Sequence, residues 1–122
     1  MVAAWPKAIA LGWHPVAYAS EVGRRPLATR LMGEALVAFR DADGAIAVLR
    51  DRCPHRGVPL SRGRVRDGAL VCPYHGWRFA GDGSLLEVPG ARTCSPVRAG
   101  ALPVREVAGL VWTTLAAESL PF

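Results

Sequence analysis

Two short runs of this sequence hold residues that could do chemistry together: Cys53-Pro54-His55 and Cys72-Pro73-Tyr74-His75. Joined, they read Cys-x-His, sixteen residues, Cys-x-x-His. Thiolate and imidazole are both good ligands for transition metals, and two of each make a four-ligand set. Two metal readings compete for that set. A single tetrahedral zinc takes Cys and His readily, usually with both Cys in one pair and both His in the other. A two-iron, two-sulfur cluster with Cys on one iron and His on the other takes the same four groups. Here each run brings one Cys and one His, which suits two loops gripping opposite sides of a dinuclear cluster. The spacing favours iron–sulfur, with zinc as the alternative.

Something must hold these runs side by side. Each follows a strand-like segment and leads into a Gly step, Arg56-Gly57 and Gly76-Trp77, so two loops at one end of a sheet could converge on one object. Short apolar runs bounded by Gly, Asp or Pro predict strands over 15–18, 27–32, 35–40, 45–50, 69–71, 77–79, 102–107 and 110–114. Asp41-Ala42-Asp43-Gly44, Asp67-Gly68, Gly81-Asp82-Gly83 and Ala108-Gly109 read as the turns between them. A short helix over 5–11, with Pro6 in its first turn, is expected at the start. No later segment keeps a 3.6-residue period for three turns. The fold class is therefore all-β, with antiparallel sheets built from hairpins.

The 122 residues suit one domain, and 51% apolar with 20% charged is globular composition. Twenty of the apolar residues are Ala, so large core side chains are fewer than the percentage suggests. No apolar run approaches the ~20 residues that cross a bilayer, and the first residues lack the pattern of a secretory signal. A cytoplasmic location, without a membrane partner, is expected, and there Cys usually means metal or chemistry. The net charge of +5 comes from 14 Arg and one Lys against ten acidic residues. Seven of the Arg, at 50, 52, 56, 62, 64, 66 and 78, flank the Cys–His runs. They could steer an acidic partner, or form an ordinary charge-mixed surface. No basic helix or aromatic stacking surface points to nucleic acid.

The flanking residues carry a more specific signal. The run Cys53-Pro54-His55-Arg56-Gly57-Val58-Pro59-Leu60-Ser61, followed by Cys72-Pro73-Tyr74-His75-Gly76-Trp77-Arg78-Phe79, resembles the Rieske domain of ring-hydroxylating and demethylating non-haem iron oxygenases. The resemblance extends over about 12–114 and includes Trp13-His14-Pro15-Val16 and Leu110-Val111-Trp112. It implies one Rieske [2Fe–2S] domain over 1–122, with a small cluster-binding subdomain of two loops at about 51–91. It also implies that Cys53 and Cys72 bind one iron and His55 and His75 the other, both His lying at the domain tip. His14 is then structural, and Cys94 a small buried residue. Pro54 and Pro73 stiffen the loops. Gly57 and Gly76 are expected to bring backbone N–H groups close to the cluster sulfurs, or simply to make turns. A third loop at Val88-Pro89-Gly90 lies where related proteins cover the cluster. Many relatives have Asp where this chain has Ala80, with a small expected effect on the turn that follows.

Redox class can be read from the same motif. High-potential Rieske proteins tie the two loops with a disulfide and place Ser and Tyr hydroxyls after the second His-Gly pair. Those positions are Val58 and Tyr74, and Trp77 and Phe79, here. A low-potential centre is expected, fed from NAD(P)H by a flavin-dependent or ferredoxin reductase and delivering electrons to a non-haem iron oxygenase. With two of three His committed, no mononuclear iron site and no independent catalytic site are expected in these residues. A stand-alone electron carrier is the first reading. A Rieske subunit or fragment beside a catalytic chain is the second, and a zinc-bound interaction module a distant third.

Overall fold

The computed structural model describes residues 6–90, 97–116 and 121–122. Its elements run α1 (Lys7–Leu11), β1 (His14–Tyr18), β2 (Leu27–Leu31), β3 (Glu34–Arg40), β4 (Ile46–Arg50), β5 (Arg64–Arg66), β6 (Ala69–Val71), β7 (Arg78–Phe79), β8 (Leu85–Glu87), β9 (Ala101–Leu102), β10 (Val104–Val107) and β11 (Leu110–Thr113). They form three antiparallel sheets in the orders β1-β11-β10, β2-β3-β4-β9 and β5-β6-β7-β8. The all-β expectation holds. No helix among the described residues is long and apolar enough to cross a membrane.

The middle sheet explains why 35–39 reads as one apolar run. Successive side chains of a strand point to opposite faces. In β3 and β4, Leu36, Ala38, Ile46 and Val48 pack on one side with Val22, Leu31 and Val111. Val37, Phe39, Ala47 and Leu49 pack on the other, with Leu60 of the segment before β5 and with Leu70 and Phe79 of the third sheet. A strand covered on both faces needs apolar side chains at every position. Fully burying each large one contributes about 1.5–3 kcal/mol.

Turn chemistry matches the sequence. Asp67-Gly68 and Ala108-Gly109 have positive φ at both central residues, as two-residue hairpins need. Asp41 caps the β3–β4 turn, its Oδ1 accepting from the N–H groups of Asp43 and Ala45.

Several expectations change. The helix begins at Lys7, with Pro6 as its N-cap, and residue 5 lies outside the described residues. The β2–β3 hairpin turns at Met32-Gly33, with φ 49° at an apolar residue that reads as strand. The single strand expected over 102–107 breaks at Pro103, where β9 leaves the middle sheet and β10 joins the first. Proline has no N–H for a ladder, and the chain changes sheet there. Strands β5, with Arg on either side of one Val, and β8, three residues long, are not read from the sequence. In β5, Val65 alone turns inward between exposed Arg64 and Arg66. The turn after Ala80 forms as expected, with Gly83 N–H on Ala80 O and Ala80 N–H on Ser84 O.

Candidate metal centre

The two Cys–His runs leave different sheets. The first follows β4 of the middle sheet, and the second joins β6 to β7 in the third. They meet because the first run returns as β5, which pairs with β6 (Arg64 opposite Val71) and so lies beside the strand that launches the second. One end of a single sheet is therefore the wrong picture. The β5–β6 ladder does the positioning.

Locally the loops are built alike. In the first, Cys53 N–H donates to Val58 O at 2.8 Å and Gly57 N–H to Cys53 O at 2.7 Å. In the second, Cys72 N–H donates to Trp77 O at 2.8 Å and Gly76 N–H to Cys72 O at 3.1 Å. Both are Cys-Pro-x-x-Gly turns closed by the residue after the Gly, with φ 75° at Gly57 and 72° at Gly76. The His stands two residues after Cys in one loop and three in the other. Gly57 and Gly76 thus spend their N–H groups on the loop's own carbonyls, and turn-making is their role. The N–H groups that reach the Cys53 sulfur are those of His55 and Arg56. The base of the first loop is tied by Asp51, whose carboxylate accepts from Ser61 N–H at 2.7 Å and Ser61 Oγ–H at 2.5 Å.

The four candidate ligands divide by environment. Cys53 and Cys72 are free thiols buried in the cluster of Leu60, Leu70 and Phe79. His55 and His75 are exposed, with ring centroids 5.4 Å apart. Burial raises the pKa of the Cys53 thiol, the N–H groups of His55 and Arg56 hold it back, and the neighbouring Cys72 thiol raises it further. The buried Cys53 thiol resists ionising by itself, and a metal bound through the thiolates would supply the missing positive charge. Among the described residues no three of His, Cys, Asp and Glu gather to hold one metal ion. Two buried sulfurs beneath two exposed imidazoles fit a dinuclear cluster, which takes its ligands two by two.

Aromatic contacts clasp the loops. The Trp77 ring of the second loop stacks on His55 of the first, with centroids 4.3 Å apart and planes within 7°. The Arg56 guanidinium lies 5.5 Å from the centroid of Tyr74, whose ring sits 4.2 Å from that of His75. Val58 and Tyr74 border one hollow of about 240 Å³. Phe79 is buried in the core. The sequence reading missed the Trp77–His55 stack and the Asp51–Ser61 tie, since neither pair shows its contact in the spacing. Pro89 of the third loop stands by Gly76, where an added Cβ would meet its Cγ at 3.3 Å. His14 takes no part: its Nε2 donates to Ile9 O at 2.8 Å, a structural bond. Cys94 lies outside the described residues.

Comparison with known proteins agrees with this geometry. The family model described as "Rieske [2Fe-2S] domain" matches residues 12–107. The chain is 44% identical over 106 residues to the oxygenase subunit of 3-chlorobenzoate-3,4-dioxygenase from Comamonas testosteroni, covering 82% of this chain and 24% of that one. It is 41% identical over 114 residues to chloroplastic chlorophyllide a oxygenase of Chlamydomonas reinhardtii, covering 89% of this chain and 18% of that one. Among solved structures, dicamba monooxygenase with non-haem iron and dicamba superposes with a TM-score of 0.86 at 33% identity, over 93% of this chain and 36% of that one. The chain spans about a quarter or less of these two curated relatives. The zinc reading falls with this match, and the cofactor is a [2Fe–2S] cluster. The chain belongs to the Rieske [2Fe-2S] domain family.

Proposed function

We propose that Cys53 and Cys72 bind one iron through sulfur, that His55 and His75 bind the other through ring nitrogen, and that the chain passes single electrons at low potential. The carrying observation is the pair of buried thiols beneath two exposed imidazoles, on loops of matched construction. The cluster, when bound, takes up and releases one electron. The protein's own residues keep water from the sulfurs, hold the loops by the Trp77–His55 stack, and leave the imidazoles at the surface for a short path to a partner. The stretch over about 51–91 acts as the cluster-bearing part.

Rieske potentials span roughly −150 to +300 mV, and hydrogen bonds to the sulfurs raise them. Trp77 and Phe79 stand where high-potential proteins carry hydroxyl donors, leaving backbone N–H groups such as those of His55 and Arg56. That supports the low end of the range. The electron would come from NAD(P)H through a flavin-dependent or ferredoxin reductase and go to a non-haem iron oxygenase. The relatives' names favour a second arrangement as well, in which this stretch serves as the Rieske part of a terminal oxygenase.

The tests are direct. Purified protein should be red-brown, with about two iron and two acid-labile sulfide per chain. His55→Ala or His75→Ala should abolish the Rieske electron paramagnetic resonance signal while far-UV circular dichroism still reports β structure. Retention of the native signal would refute the ligand set. A midpoint potential well above zero would refute the low-potential reading.

A further inference from the structure

The seven arginines that cluster in the sequence do not make one surface. Arg50 reaches Glu34 at 3.4 Å, and Arg66 and Arg78 both reach Glu87, at 3.5 and 3.2 Å. Arg62 and Arg64 are exposed and make no ion pair with any carboxylate among the described residues. The fold adds two more from far away in sequence. Arg24 and Arg25, on the β1–β2 connection, are exposed and unpaired in the same sense, and line a hollow of about 370 Å³ with Arg64. A second hollow, of about 320 Å³, runs from Arg62 and Arg64 to Cys72 and Gly76 of the second loop. A third, of about 240 Å³, joins Arg62 to Pro59 and Tyr74. Glu21 and Asp67, the carboxylates nearest in sequence to Arg24 and Arg64, form no ion pair with them among the described residues, and Asp51, which borders a further hollow with Arg62, is engaged by Ser61.

These hollows share Arg62 or Arg64, so one concave face runs from four guanidinium groups without an ion pair among the described residues to the backbone of the second cluster loop and the exposed Tyr74. An apolar patch with a charged rim is the anatomy of a protein interface. Positive charge beside the place where electrons cross selects a partner with carboxylates. Steering helps a partner that arrives by diffusion, and the electron donor does so whether the acceptor is a separate oxygenase or lies beside this domain. We propose that Arg24, Arg25, Arg62 and Arg64 form the docking face for an acidic electron-donor protein, which sets its redox centre against the second loop. The inference rests on the electron-transfer reading above.

The test is stopped-flow reduction of the oxidised holoprotein by two donors: a reduced acidic plant-type [2Fe–2S] ferredoxin and the cationic methyl viologen radical. Each gives up one electron to the cluster, the ferredoxin returning to its diferric form and the radical to the dication. The variants are the double charge reversal Arg62→Glu/Arg64→Glu and a control, Arg105→Glu, on β10 of the first sheet. The double variant should slow reduction by ferredoxin about tenfold at 10 mM salt and by less than about twofold at 0.5 M, where screening is short-ranged. Its rate with methyl viologen should rise, and the control should change far less. If ferredoxin reduces the double variant as fast as the control while the Rieske signal is intact, the docking face is refuted and electron transfer stands. If wild-type protein shows no Rieske signal, the functional reading falls and the docking face with it. Loss of duplex DNA binding in the double variant, with an unchanged ferredoxin rate, would also overturn the proposal, in favour of nucleic acid.

Discussion

Replacing Gly63 by Ala adds one methyl group where the first cluster loop returns to the third sheet. The backbone φ there is −83°, outside the left-handed region that favours glycine, so the cost is steric. Space is the obstacle. A Cβ at position 63 would lie 1.8 Å from the carbonyl oxygen of Val71, 3.0 Å from its carbonyl carbon and 3.2 Å from Leu60 O. Comfortable carbon–oxygen contact begins near about 3.3 Å, so the two backbones must part by about 1.5 Å. A ladder cannot absorb that movement, and Arg64 opposite Val71 is its end pair. Losing that end forfeits a bond worth about 1 kcal/mol and leaves buried backbone groups unsatisfied at about 1–3 kcal/mol each, for a total near 3–5 kcal/mol. Gly57→Ala is the internal comparison. It meets nothing within 4 Å, but its φ is 75°. The left-handed conformation costs Ala roughly 1–2 kcal/mol, partly offset by lower unfolded-state entropy, which leaves about 1 kcal/mol. Melting the two holoproteins at one scan rate, by far-UV circular dichroism and by cluster absorbance, should lower Tm by about 10–20 °C for Gly63→Ala and by about 5 °C or less for Gly57→Ala. The cluster spectrum should fade first in Gly63→Ala, because Val71 adjoins Cys72. If Gly63→Ala melts within a few degrees of wild type, or if Gly57→Ala is the worse of the two, the steric reasoning is wrong.

Other perturbations separate the parts of the site. Asp51→Ala should cost about 2–3 kcal/mol by stranding Ser61 N–H, and Ser61→Ala about 1 kcal/mol. Thermal melts of the double variant should then show a loss no larger than that of Asp51→Ala alone, whereas full additivity would mean the two do not act together. Trp77→Ala should change the g-values of the reduced cluster and hasten its loss, while Trp77→Phe, which keeps a ring against His55, should retain the wild-type signal; an unaltered signal in Trp77→Ala would show that the stack has no role. The side chain and N–H of Ser84 hold the Asp82 carboxyl below its ordinary range. The folded pKa is depressed, so this exposed contact stabilises above the unfolded pKa and is lost as pH falls through the folded one. Carboxyl-carbon NMR titration of Ser84→Ala should move Asp82 upward, and an unmoved value would contradict the assignment of cause.

Much of the fold was legible because it is written in neighbouring residues. Asp67-Gly68 and Ala108-Gly109 turn the chain by their own conformational preferences, and the apolar run at 35–39 must be buried wherever it goes. Met32-Gly33 was not legible, because a Met at positive φ has no local signature and is held there by the hairpin on either side. Pro103 carries a signal, the missing N–H, but only the arrangement of sheets shows that the chain changes partner at that residue.

The same division runs through the site. Residue types and spacing determined the ligand set to be tested, two Cys and two His split between two runs, because metal preference depends on donor atoms and their order along the chain. Sequence also determined which hydroxyls and which disulfide positions are missing. Tertiary structure alone decided that the sulfurs lie buried beneath exposed imidazoles, that Trp77 stacks across to His55, and that Asp51 ties the base of the first loop. It also regrouped the arginines, pairing Arg50, Arg66 and Arg78 with carboxylates and bringing Arg24 and Arg25 to Arg64. Those outcomes depend on contacts between residues far apart in the chain, where pairing of strands, and not local preference, sets the distance.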